Sequence, residues 1–361
     1  MLRLLFYPFR ESQILFNLLG YITFRAIAAA VFSLLIGIWA GPRFIRWLIR
    51  FRIGQQIRGE GIPSLYEHHK AKAGTPTMGG ILLLSLVLLS VILWGDLTNR
   101  LLILMIFVTV WLGLVGFLDD YIKMRRKSHR GLNKRQKLIG QFSIGLLVGL
   151  YLYAWPVDPN NPTGLALPFL KHFIPELGIL YIGFVALVLV STSNAVNITD
   201  GLDGLATGCV TIASAIFAIV AYLVGRVDAS RYLYVLYIKG AGELSVFCAA
   251  LLGASLAFLW FNCYPAQVFM GDVGALALGG ALGCVAVLCK QELLLLIVGG
   301  VFVIEAASVI LQVISVRRWG KRIFLIAPLH HHYQIKGWHE VTIVTRLWIL
   351  AIVFGMLGLC T

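Results

Sequence analysis

Charged side chains are the scarcest feature of this sequence: Asp, Glu, Lys and Arg make up 13% of its 361 residues, and only 16 residues are acids. Soluble domains carry about a quarter charged residues, so a water-soluble globule is excluded. Cysteine is also sparse. The six present (Cys209, Cys248, Cys263, Cys284, Cys289 and Cys360) lie in or beside apolar runs, with no close-set CxxC pair. That pattern argues against a disulfide framework or a cysteine zinc site and leaves small buried hydrophobes as the expectation. No GxxxxGK[ST] loop occurs, which excludes a P-loop nucleotide site. A repeat of solenoid period is absent as well. Residues 1–18 lack the pattern of a cleavable signal peptide and read as a short amphipathic lead-in containing Arg3 and Arg10.

Apolar residues are abundant instead, at 59% of the chain with a mean hydropathy of +0.88. Crossing the hydrocarbon core takes about 20 of them in a row. Runs of that order fall near 21–41, 77–95, 100–118, 138–155, 177–193, 205–225, 243–261, 274–289, 293–316 and 341–360. These predict an all-α polytopic membrane protein with about ten transmembrane helices, forming a single domain over 1–361.

The intervening loops fall alternately on two sides. Loops 42–76, 119–137 and 317–340 hold seven, eight and five Lys/Arg, which is 20 of the 30 in the chain. The loops of the other side hold only Lys171, Arg226, Arg231, Lys239 and Lys290. The positive-inside rule makes the first side cytoplasmic and puts both termini on the periplasmic side. Topology therefore accounts for the formal charge of +14, and no nucleic-acid partner is expected. Membrane lipids and an anionic substrate are compatible with it.

Acids contribute little to topology, so their placement carries information. Five aspartates fall in cytoplasmic loops or at the membrane boundary: Asp119, Asp120, Asp200, Asp203 and Asp272. In "GLVGFLDDYIKMRRK" an oily run ends in Asp119 and Asp120, followed at once by cations including Lys123. "STSNAVNITDGLDGLATG" sets Asn194, Asn197, Asp200 and Asp203 three residues apart, a spacing that shares one face of a helix. Capping would use one or two of these groups; four in ten residues point to function. "FNCYPAQVFMGDVGALALGG" has the single acid Asp272, with Asn262 and Phe269 nearby and Gly271 and Gly274 allowing close backbone approach. A helix beginning there would aim amide donors at an anion, although Asp272 could equally be a simple N-cap.

"FLIAPLHHHYQIKGWHE" contains His330, His331 and His332, and consecutive histidines on one regular element cannot all ligate one zinc ion. Imidazoles facing phosphate fit better. In "HHKAKAGTPTMGG", Lys70 and Lys72 precede a Gly/Thr turn and can hold phosphate as point charges, as can Lys123, Lys134 and Lys137. Glu305 lies near the middle of the ninth run, with Gln312 two turns on. An acid at that depth is either functional or a satisfied packing partner. Clustered Asp oxygens suit Mg²⁺, with Mn²⁺ as a substitute, rather than zinc. Carboxylates, lysines and a membrane boundary together point to phosphoryl transfer from a soluble anionic donor to a lipid acceptor.

The motifs "GTPTMGG", "GFLDDYIK", "NAVNITDGLDGLA", "NCYPAQVFMGDVGALALGG" and "APLHHHYQIKGW" closely resemble, in order and over nearly the whole chain, the phospho-N-acetylmuramoyl-pentapeptide-transferase family. That family belongs to the polyprenyl-phosphate N-acetylhexosamine-1-phosphate transferase superfamily, of glycosyltransferase family 4 type. The resemblance implies a ten-helix fold, a homodimer, the bacterial inner membrane, and an active site on loops 42–76, 119–137, 194–204, 262–273 and 317–340. It implies transfer of phospho-MurNAc-pentapeptide from UDP-MurNAc-pentapeptide to undecaprenyl phosphate, giving lipid I and UMP in the first membrane step of peptidoglycan synthesis, with Mg²⁺ required.

By motif, Asp272 would be the principal metal ligand. Asp119 and Asp120 would position or deprotonate the lipid phosphate and help hold the metal. Asp200, Asp203, Asn262 and Phe269 would bind the nucleoside, Phe269 by stacking on uracil. Lys72, Lys123 and Lys137 would contact phosphates, and His330, His331 and His332 would line the donor site. Asn194, Asn197 and Gln312 complete the expected substrate contacts. Two rivals stand beside this reading: a superfamily member using UDP-GlcNAc, for which the histidine loop discriminates, and a cation-coupled transporter, which would carry its acids at the midplane.

Overall fold

A computed structural model describes residues 1–9, 14–51, 74–126, 131–171 and 173–361. The long helices are α1 (Ile22–Arg50), α2 (Gly80–Trp94), α3 (Arg100–Arg125), α4 (Lys134–Ala154), α5 (Leu180–Thr199), α6 (Leu205–Val224), α7 (Gly242–Asn262) and α8 (Gly271–Leu288). They are followed by α9 (Leu294–Val298), α10 (Gly300–Trp319), α11 (Leu329–Ile335) and α12 (Glu340–Leu359). Further short helices occur at Leu2–Phe6, Ile14–Asn17 and Val227–Leu233. Among the described residues nine helices are long and apolar enough to span a bilayer, and α2 is a shorter apolar tenth. Strands are absent among them; one isolated bridge joins Gly164 and Glu176. The expected all-α membrane architecture is present.

The bundle is built around α8. Of its span, 89% is buried within the protein, against α3 and α5 on two sides and α2 and α6 beyond them. Five glycines among its 18 residues let neighbouring backbones come close, which is how helices associate when lipid supplies no hydrophobic drive. The same core continues where α7 packs between α1 and α6. At the end of the bundle away from Asp272, Arg25 of α1 lies 1% exposed and makes a two-pronged ion pair to Glu243 of α7, at 2.7 and 2.5 Å. The same carboxylate accepts the backbone N–H of Asp96 between α2 and α3, so one acid ties three segments together.

Several boundaries differ from expectation, each for a local reason. The expected loop 119–137 starts too early: α3 continues to Arg125, because Asp119 and Asp120 find partners inside the bundle and need not end the helix. Likewise α5 runs to Thr199 and absorbs much of the expected loop 194–204, including Asn194 and Asn197. Helix α1 passes through Pro42 to Arg50, shortening the expected loop 42–76. The ninth apolar run, 293–316, is two helices rather than one, broken at Gly299. Part of the expected loop 317–340 is helical, as the end of α10 and all of α11. Four of the cysteines are buried as expected, whereas Cys263 and Cys360 are exposed; all six are free thiols.

Candidate active site

The site is assembled where the C-terminal end of α3 meets the first turn of α8. Gly116 of α3 makes that meeting possible, because a Cβ there would overlap the backbone carbonyl of Asp272. One turn further on, Asp119 and Asp120 are 3% and 6% exposed. Asp120 accepts the Val273 N–H at 3.2 Å and so caps the start of α8. Gly271, at φ +74°, adopts a left-handed conformation suited to glycine, and a Cβ would come within 2.6 Å of Asp120 Oδ2. Asp119 accepts the Leu132 N–H at 2.7 Å, which fastens the turn before α4.

These contacts bring Asp119, Asp120 and Asp272 together, with one carboxylate oxygen from each lying within 4.8 Å of the others. Lys123, one turn beyond Asp119, places its ammonium among them, 2.5 Å from Asp119, 2.6 Å from Asp272 and 3.5 Å from Asp120. Lys137 of α4 reaches Asp272 at 3.2 Å, and Asn197 of α5 donates to its other oxygen. Four helices thus converge on one carboxylate. The donor set, three hard oxygens already gathered about a cation, fits a hard divalent metal ion. The two lysines and the start of α8 also offer positive charge to a phosphate.

Asp200 caps the end of α5. Loss of hydration, followed by the negative charges of Asp272, Asp120 and Asp203, pushes its carboxyl up to about 7. Asp203 is buried, accepts the Ala266 N–H at 3.0 Å and donates its own N–H to Glu340 at 2.8 Å. Asn262 spends its amide internally, accepting from Thr207 and donating to the Val268 carbonyl, both at 2.9 Å. It braces the loop that carries Phe269. That loop pairs backbone to backbone with the segment before α2: Phe269 N–H to Pro76, Gly79 N–H to Phe269 and Gly80 N–H to Met270, all at 2.8 Å. The Phe269 ring is half-buried.

On α11 the three histidines point to different surroundings. His330 is fully buried, with Nδ1 3.1 Å from Glu305 and Nε2 against Gly201, where a Cβ would collide with the ring. Glu305 is therefore the orienting partner of His330. His331 meets Gln334 at 2.7 Å, and His332 accepts the Leu325 N–H at 3.1 Å.

Of the expected residues, Asp119, Asp120, Asp272, Lys123, Lys137 and Asn197 form one constellation, with Asp200 in its field. Asn194 turns instead to Gln141 at 2.9 Å within the α4–α5 contact. Gln312 holds the backbone of Ile323 and Phe324. Lys72 lies outside the described residues. Sequence reading missed Glu340 and Gly116. A buried acid at the start of the last span was the available signal for the first, and the small residue one turn before Asp119–Asp120 for the second.

Replacing Gly116 by valine is expected to separate α3 from α8. Overpacking of this kind costs about 1–3 kcal/mol, and here it displaces Asp120 from Asp272. The variant should still span the membrane but lose most turnover, with a lowered melting temperature in detergent; full activity would show that the close approach does not set the carboxylate geometry.

Two kinds of comparison bear on this site. The family model for glycosyl transferase family 4 matches residues 102–290, which hold all the converging acids and lysines. Residues 72–84, the segment leading into α2, match phospho-N-acetylmuramoyl-pentapeptide-transferase signature 1. Among curated proteins, a phospho-N-acetylmuramoyl-pentapeptide-transferase of Oleidesulfovibrio alaskensis is 52% identical over 354 residues, covering 98% of this chain and 97% of the relative. One from Solidesulfovibrio magneticus is 50% identical over 96% of this chain and 94% of the relative. One from Desulfotalea psychrophila is 49% identical over 99% and 98%.

Proposed function

Since this chain belongs to the phospho-N-acetylmuramoyl-pentapeptide-transferases of glycosyl transferase family 4, we propose that it moves phospho-MurNAc-pentapeptide from UDP-MurNAc-pentapeptide to undecaprenyl phosphate. The products are UMP and lipid I. One observation carries the reading in physical terms: three carboxylates and two lysines from α3, α4 and α8 meet at the end of apolar helices. That is where a lipid phosphate and a soluble diphosphate can meet. A UDP-GlcNAc donor is not favoured, because the whole-chain relatives and the signature are of the muramoyl kind. Transport is not favoured either, since the acids gather at the end of the bundle and Glu305, the acid at depth, has one oxygen held by His330.

In the reaction a lipid-phosphate oxygen attacks the β-phosphorus of the donor, and the bond to the bridging oxygen breaks to release UMP. The second pKa of a phosphate monoester is about 6, so the acceptor is largely ionised at neutral pH and positioning matters more than proton removal. Asp119 and Asp120 supply that positioning, held by Leu132 and Val273. Lys123 and Lys137 face the diphosphate and offset the charge that moves to the leaving oxygen. Asp272, with Asp119 and Asp120, would hold Mg²⁺, which when bound neutralises phosphate charge. Phe269 stacks on uracil, with Asp200 and Asp203 beside it and Asn262 shaping the loop. His330, set by Glu305 and buried against Gly201, supports the donor side from behind.

Purified protein given both substrates and Mg²⁺ should release UMP and form lipid I, and EDTA should stop both. Turnover of UDP-GlcNAc in place of the muramoyl donor would reassign the substrate. Phe269→Ala should raise KM for the donor more than it lowers kcat. Stacking of a base on an aromatic ring contributes about 1–3 kcal/mol, so a rise of about 5- to 150-fold is expected. An unchanged KM would remove Phe269 from the uracil site.

A further inference from the structure

The face of the bundle away from the carboxylates carries a hollow of about 430 Å³, open to solvent, walled by Asn99, Arg100, Leu101, Pro156, Pro159 and Lys239. Arg100 begins α3 and Asp119 lies 19 residues on, so the hollow is about 28 Å from the acid cluster at 1.5 Å per residue. Cations on this face are not a product of topology, because the positive-inside rule depletes them there. Most of those present have partners: Arg25 holds Glu243, Arg3 holds Asp96, and Arg226 holds Asp228. Lys290 grips the carbonyls of Pro162 and Gly164, and Lys171 that of Leu233.

Arg100 and Lys239 are set apart by their position. Arg100 gives one N–H to the Pro156 carbonyl at 2.8 Å, and among the described residues no carboxylate pairs with it or with Lys239. Both line the same hollow, whose floor is apolar: Leu101 is 1% and Val157 6% exposed. Down α3 from Arg100, at three and seven residues, Ile103 and Phe107 are exposed on the same face, where they would meet lipid tails. Trp155 and Tyr237, next to Pro156 and two residues before Lys239 in the chain, are both exposed. Aromatic residues of this kind mark headgroup level. The hollow therefore combines two cations that have no paired carboxylate among the described residues with an apolar track running inward.

We propose that Arg100 and Lys239 bind the headgroup phosphate of an anionic phospholipid in the leaflet opposite the active site, with an acyl chain lying along Ile103 and Phe107. The test uses the full chain in nanodiscs of phosphatidylcholine doped with photoactivatable phosphatidylglycerol, with crosslinks mapped by peptide mass spectrometry. Labelling is expected around residues 155–159 and 237–240. Each basic residue near an anionic lipid contributes a factor of about five, so Arg100→Gln or Lys239→Gln should reduce labelling about five-fold and the double variant about 25-fold. Arg100→Lys should retain most of it, and UMP release by the variants should match the parent, showing that they are folded. Equal labelling by a photoactivatable phosphatidylcholine, or undiminished labelling of the double variant, would overturn the proposal. Displacement of the lipid by millimolar inorganic phosphate would overturn it too, by making the hollow a site for free anions.

Discussion

Asp272→Asn should abolish UMP release while leaving the protein folded. On Asp272, α3, α4, α5 and α8 converge through Lys123, Lys137 and Asn197. The substitution keeps shape but removes the charge that both lysines face. It also takes away one of the three carboxylates able to hold a metal ion. Loss of a group that merely supports a metal ligand lowers affinity or activity about 10- to 100-fold, so losing the ligand itself should exceed about 100-fold. The measurement is UMP release across a range of Mg²⁺ concentrations, with Mn²⁺ binding followed by electron paramagnetic resonance as a readout independent of turnover. Turnover within ten-fold of the parent, or unchanged Mn²⁺ binding, would remove Asp272 from the centre of the site.

The second large effect lies at the other end of the bundle and concerns stability. Glu243→Ala leaves Arg25 buried among α1, α2 and α7 with no directly paired carboxylate: its remaining hydrogen bond is to the Trp94 carbonyl at 3.2 Å, and Asp96, the acid still in its field, is held by Arg3. Breaking a buried pair from one side costs about 3–5 kcal/mol, whereas replacing both partners by apolar residues of similar volume is often neutral or better. Glu243→Ala is therefore expected to unfold at much lower temperature in detergent and to accumulate poorly in membranes. The double variant Arg25→Met with Glu243→Leu should recover most of the loss. If the single variant melts with the parent, the pair is not what joins the three segments.

How much of this could be read from the residues alone follows from which interactions are local. The apolar runs obey a length rule set by the bilayer, so the helices and the all-α class were legible within a few residues. The break at Gly299 was not, since an apolar run looks the same whether it is one helix or two. Among the acids, Asp119, Asp120 and Asp272 stood out because oily surroundings make a carboxylate conspicuous. Their convergence depends on Gly116 and Gly271 admitting α3 to the start of α8, a tertiary fact that no spacing reveals. Periodicity misled at Asn194. It shares a helical face with Asn197, yet its amide is used by Gln141 while Asn197 reaches Asp272. The pairing of Glu305 with His330 joins residues 25 apart, which is why the sequence left Glu305 open between a working group and a packing partner.

The enclosure of α8 has a consequence for how the protein is made. In the finished molecule this helix is almost wholly wrapped by other helices, and its glycines exist to fit them. During synthesis, however, helices partition into lipid before they pack against one another, and glycine contributes little to that partitioning. The segment must therefore satisfy two solvents in succession, and its leucines and valines carry the first while its glycines serve the second. Polar substitutions in the middle of α8 that the closed bundle could accommodate through new hydrogen bonds would still fail at the earlier stage. The helix that begins with Asp272 is thus constrained by its biogenesis as tightly as by its chemistry.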